Sequence, residues 1–237
     1  MKSVLLLYGK RGLQALNRPG NYFSTEEFQE ECTRQQLIGN TQVVLRIIFD
    51  CERFLVLPEV AEQQPFFDFQ YPEHAGALLA SRSLGDGMQK IVYELDLSLK
   101  SMAEKTLPHH HLLPDVYLFA RYCMAVSRKS PVMFVYWQPG HMDIFTARNQ
   151  QLCFANRFQP RTEEEARYFI LSVRESFNHE QELLFCTELP DESYGEDSWR
   201  ITAMTEQLRP YFGRLQRMNL CQSAATVFLE NISDEIL

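Results

Sequence analysis

Apolar and polar positions change their spacing several times along the chain, and the most regular stretch runs from residue 131 to 189. An apolar run over 132–137 predicts a strand, broken by Gln138-Pro139-Gly140. A second run over 142–146 predicts its return strand, turning at Arg148-Asn149 into a third over 151–157. Thr162 and Glu165 then have capping-box spacing. Behind them Ala166, Phe169, Ile170, Val173 and Phe177 recur at helical intervals, so a helix with one buried stripe is expected. Glu163 and Arg167 form an i,i+4 pair on its outer side. The apolar run over 183–186 reads as a buried strand.

Less regular signals flank this unit. Residues 4–8 and 13–16 predict a hairpin around Gly9-Lys10-Arg11-Gly12, and Pro19-Gly20 is a turn with a vestigial third strand over 21–23 after it. Ser24 and Glu27 cap an expected helix over 25–37, ended by Gly39-Asn40. Strands are expected over 43–49 and 54–57. From 59 to 89 the pattern is weak: Phe66, Phe67, Phe69 and Tyr71 crowd beside Pro65 and Pro72, 75–84 reads as a short helix, and Gly85-Asp86-Gly87 as a loop. A strand follows over 91–97. Residues 101–113 hold at most a short helix and then a connector. Pro114 suits a first helical position, and the helix it opens, over 114–128, is apolar nearly all round. Such a helix is buried on several sides, and it reads as the link wedged between two halves. After residue 189 the expectations are an acidic loop over 190–197, a helix over 199–208 capped by Ser198 and ended by Pro210, a strand over 214–220 and an acidic tail.

The two halves, 1–113 and 114–237, repeat an order of elements: hairpin, third strand, capped helix, strand, and a further strand. The first is the less regular copy. An α/β chain made of two βββαβαβ-type halves joined by a buried helix resembles the actin-like ATPase fold, a duplicated ribonuclease-H-like architecture. More narrowly, "LCFANRFQPRTEEEARYFILSVRESFNHEQELLFC" at 152–186 and "FLVLPE" at 54–59 resemble a bacterial family of uncharacterised proteins, a domain of unknown function with a degenerate form of that fold. The resemblance covers nearly the whole chain.

Composition narrows the functional classes. A 45% hydrophobic content supports a real core, and a net charge of −8 without basic blocks argues against nucleic acid as a partner. No run reaches the ~18 apolar residues of a membrane span, and the apolar stretch at the start is too short for a signal-peptide core. The six cysteines are scattered, which fits buried free thiols in a reducing, cytoplasmic setting.

Candidate chemistry centres on the two hairpin turns. The resemblance implies that active members carry an Asp-x-Gly turn in each half, with carboxylates on metal and water and turn amides on phosphate. Such a division suits hard-cation and anion chemistry. Here the turns hold Gly9, Lys10 and Gly12 in one half and Gln138, Gly140 and His141 in the other, with no carboxylate before the glycine. Asp143 comes too late and belongs to the outgoing strand, and Pro139 removes an amide donor. Lys10 and Arg11 could attract an anion, although solvated turn charges are the plainer reading. His109-His110-His111 reads as a solvated connector, with a weak metal or pH-sensitive patch as the alternative, because adjacent residues on extended chain point apart. His179-Glu180 lacks the second histidine of a metalloprotease helix, and Asn231-Ile232-Ser233 fits a glycosylation sequon that a cytoplasmic protein would not use. The Phe66–Tyr71 aromatics read as core under a loop, with a binding ridge or a homodimer face as alternatives. The expected function is a non-catalytic interaction or scaffold protein with a protein partner, no nucleic acid and no membrane insertion, holding no cofactor and no metal. The alternative is a divergent nucleotide-binding ATPase or kinase that uses ATP and magnesium.

Overall fold

The computed structural model describes residues 2–9, 12–15, 22–23, 43–85, 87–106, 110–138, 140–177, 182–187 and 203–219. The helix expected over 25–37, the Pro19-Gly20 turn, the 190–197 loop, the Ser198 cap, Lys10, Arg11, Pro139, His109, His179, the sequon at Asn231 and the tail lie outside the described residues. The chain divides into two compact units, Met1–Leu118 and Phe119–Leu237.

The second unit is built on β9 (Val132–Gln138), β10 (His141–Arg148) and β11 (Gln151–Phe158), an antiparallel meander. Strand β12 (Glu182–Thr187) adds parallel to β9, and β13 (Arg214–Asn219) parallel to β12, giving the order β11-β10-β9-β12-β13. β9 is central, and Val132 through Tyr136 are all buried, as expected of a strand covered on both faces. The hairpin from β10 to β11 turns on Asn149 and Gln150, one residue later than the sequence suggests, with φ of 52° and 64°. Paired positive φ values of this kind match the right-handed twist of the flanking strands.

Helix Glu163–Phe177 starts at the predicted cap. The amide of Glu165 donates to Thr162 Oγ1 at 3.2 Å, and Glu165 Oε2 accepts from the amide of Arg161 at 2.6 Å, one residue before the box's usual partner. Its stripe of Ala166, Ile170 and Val173 packs on Met133, Val135, Met142, Ile144, Leu183 and Phe185 of the sheet. Met204, Leu208 and Phe212, from the helical segment over 203–208 and the turn after it, complete this core. Arg167 donates to Gln207 at 2.6 Å.

The first unit repeats the strand order. β1 (Lys2–Gly9), β2 (Gly12–Ala15), β3 (Tyr22–Phe23), β4 (Val43–Phe49) and β8 (His110–Pro114) form a sheet ordered β3-β2-β1-β4-β8. The first three are antiparallel, and β4 and β8 are parallel additions. Between β4 and β8 lies an inserted lobe, a three-stranded antiparallel sheet ordered β5-β7-β6, made of β5 (Phe54–Pro58), β6 (Leu79–Ser83) and β7 (Gln89–Glu94). Helix Gln63–Gln70 covers one face, with Phe67 seated against Leu57 and Val92.

Several expectations are overturned in this unit. The segment read as a helix over 75–84 contains strand β6 instead. Gly76 has φ of 80°, and Leu79 to Ser83 pair with β7, so sheet pairing overrides local helix propensity. The strand expected to 97 ends at Glu94 and belongs to the inserted sheet. A helix, Leu97–Thr106, follows, with Asp96 Oδ1 accepting from the amides of Ser98 and Leu99 as an N-cap. The histidine connector is in part a strand, because His110 and His111, in β8, pair with Leu45 and Arg46 of β4. Pro114 ends that strand rather than opening the next helix, a position open to proline because β8 is the sheet edge. Helix Asp115–Val126 then begins with Asp115 Oδ1 accepting from the amides of Val116 and Cys51, at 2.7 and 3.1 Å. As the sequence implied, it is apolar nearly all round, with Val116 through Ala120 and Tyr122 through Met124 buried.

Candidate functional site

Each hairpin singled out by the sequence is a tight two-residue connection. Gly9 pairs with Gly12 across the first, and Gln138 with His141 across the second. Gly140 is exposed with φ of 96°, and a Cβ placed there would meet no atom within 4 Å. The glycine is therefore required by its backbone conformation and not by crowding.

Two residues past the second turn stands the most deeply buried charge among the described residues of the second unit. Strand alternation sends Met142 and Ile144 to the face under helix Glu163–Phe177. Asp143 and Phe145 go to the opposite face, where Phe145 and Phe134 surround Phe119. The Asp143 side chain is 0% exposed and its cross-strand neighbours are Tyr136 and Arg157. Arg157 grips it with both arms of the fork: Nε donates to Oδ1 at 2.6 Å, and a terminal nitrogen to Oδ2 at 2.7 Å. His141 Nε2 lies 4.0 Å from Oδ2. Such a bidentate pair neutralises the carboxylate and occupies both of its oxygens.

Of the residues singled out beforehand, Gln138 pairs with His141 across the turn and His141 stands beside Asp143, while the partner that holds Asp143 is Arg157, which sequence reasoning missed. Gly9 and Gly12 belong to the other unit, and Lys10 lies outside the described residues. Among the described residues no group of three or more His, Cys, Asp and Glu side chains converges as a metal site would require. No helix among them is long and apolar enough to cross a membrane. Cys51 and Cys123 are buried free thiols and Cys153 is exposed.

Comparison with known proteins follows the fold. A family model described as "Protein of unknown function (DUF3822)" matches residues 25–191. No curated protein matches the chain. A crystal structure of a protein with actin-like ATPase fold and unknown function from Bacteroides thetaiotaomicron matches with a TM-score of 0.70 at 16% identity, covering 95% of each chain. The cytoplasmic domain of EpsL, an inner membrane component of the type II secretion system of Vibrio cholerae, matches with a TM-score of 0.48 at 10% identity, over 97% of this chain and 95% of that one. A PilM–PilN type IV pilus biogenesis complex gives 0.43 at 11% identity, over 98% and 86%. The first of these carries the fold assignment: the chain has an actin-like ATPase fold, each unit repeating the same five-stranded order.

Proposed function

The chain belongs to the DUF3822 family, and from that premise we propose that it is a non-catalytic actin-like protein, cytoplasmic, that works by binding another protein. The observation that carries this reading is the state of Asp143. It is the first carboxylate after the second hairpin turn in the sequence, and both its oxygens are held by Arg157 in a site closed to water. Phosphoryl transfer needs carboxylates that hold a metal and position a nucleophile. Neither turn carries one before its glycine. On this reading the fold is retained as a scaffold, and neither nucleotide nor magnesium is part of its work.

The alternative, a divergent ATPase or kinase, makes an opposite thermodynamic demand. A ligand at about a hundred times its dissociation constant stabilises the folded state by about 2.7 kcal/mol. Thermal melts with and without millimolar Mg-ATP are expected to coincide. An upward shift with Mg-ATP that disappears in Gly140→Val would refute the non-catalytic reading.

A further inference from the structure

Of the eight large apolar side chains that stand exposed among the described residues, six lie between residues 60 and 97, in or beside the inserted lobe. They are joined by short links. The amide of Glu59 donates to the carbonyl of Met88, which sets Val60, 94% exposed, beside Met88, 68% exposed. Next in the chain, Ala61, Glu62 and Pro65 face Ala77, Leu78 and Leu79 across an open groove of about 500 Å³. Phe66 follows Pro65, and Phe69, 87% exposed, stands one helical turn on. On the far side, the amide of Leu95 donates to the carbonyl of Leu78, leading to exposed Leu97. Scattered apolar residues are ordinary on a surface, but a linked set beside a groove is not.

Charge indicates what covers this face. Residues 59–97 hold seven carboxylates and two bases, Arg82 and Lys90. Both bases are turned to internal use. Lys90 Nζ donates to the carbonyls of Glu59 and Ala61, each at 2.8 Å, and Arg82 donates to the carbonyl of Leu112. Glu94 is held by Arg53 and His74, and Asp68 and Asp96 accept from nearby groups, so the lobe offers its surroundings apolar side chains and the exposed carboxylates Glu62 and Glu73, with Glu62 on the groove itself. A second copy of the same face would bring like charges together, which disfavours self-association. We infer that the inserted lobe docks a cationic segment of a partner protein, one whose lysines or arginines alternate with apolar side chains. Its aliphatic stems lie along Leu78, Leu79 and Pro65 while their charged heads meet Glu62. The inference rests on reading the protein as an interaction module and names the partner's chemistry.

The test uses the full chain and two short fluorescent peptides, one alternating leucine with arginine and the other leucine with glutamate. Fluorescence anisotropy is expected to show binding of the cationic peptide alone, weakening as salt is added. Phe69→Ser with Leu78→Ser, and separately Glu62→Lys, are each expected to weaken it at least tenfold while the melting temperature stays within a few degrees. Glu62→Lys alters one exposed charge and keeps the test decisive should the double change unfold the lobe. Equal binding of both peptides, cationic binding untouched by Glu62→Lys, or a dimer in sedimentation that Phe69→Ser dissolves would overturn the assignment. Peptide binding that survives alongside a melting shift with Mg-ATP supports this site while sinking the non-catalytic reading, so the two failures are told apart.

Discussion

Replacing Arg157 with methionine keeps an aliphatic stem of similar length and removes both donors from a carboxylate that has no exposed surface. The charge of Asp143 would then stand without its guanidinium beside Phe134, Phe145 and Tyr136, with the His141 ring 4.0 Å from Oδ2. Breaking a buried ion pair from one side costs about 3–5 kcal/mol, a large share of a domain's total stability. Removing both partners is a different matter. In Asp143→Leu with Arg157→Met, no buried charge remains, and stability is expected within about 1 kcal/mol of the parent or above it. The expected coupling between the two sites is therefore at least about 3 kcal/mol. Both tryptophans, Trp137 and Trp199, fall in the second unit, so urea denaturation followed by tryptophan fluorescence reports the unit that holds the pair. The reasoning is refuted if Arg157→Met costs less than about 1 kcal/mol, or if the double variant loses as much as the two single changes added together.

Three further outcomes follow from local geometry. Gln150 holds φ of 64° in the β10–β11 turn, a conformation costly for a residue with a Cβ, so Gln150→Gly should raise stability by about 0.5–1 kcal/mol in the same denaturation assay. Thr146 is buried and its hydroxyl has no hydrogen-bond partner among the described residues. Thr146→Val should therefore be neutral or stabilising by about 1 kcal/mol, and a loss of that size would show that the hydroxyl is satisfied. Burial pushes the Cys123 thiol well above its ordinary value, so it stays neutral in the folded chain while the unfolded chain ionises from about pH 8.5. The folded state then binds more protons, and stability falls as pH rises beyond that point. Cys123→Ala should flatten this alkaline slope in melts between about pH 8 and 10.

The sequence by itself determined the second unit well. Continuous apolar runs, a Pro-Gly turn and a Thr–Glu cap are local signals, and each acts within a few residues of where it is written. β9, β10, β11 and helix Glu163–Phe177 followed from them within a residue or two at most ends. The turn glycines without a neighbouring carboxylate were equally legible, since a missing residue type needs no coordinates. What the tertiary structure decided was pairing. Leu79–Ser83 and His110–Pro114 have composition that fits helix or loop, and they are strands because partner strands, β7 and β4, supply the hydrogen bonds. The same holds at the charged site. Arg148 pairs with Gln151 and Ala147 with Leu152, but Thr146 pairs with Phe154, leaving Cys153 as a bulge. A regular hairpin would have set Asp143 opposite Asn156; the bulge shifts the register by one residue and brings Arg157 there instead. A one-residue slip in a strand leaves no mark in local spacing. Only the packed sheet, in which a buried carboxylate must find a cation, decides it.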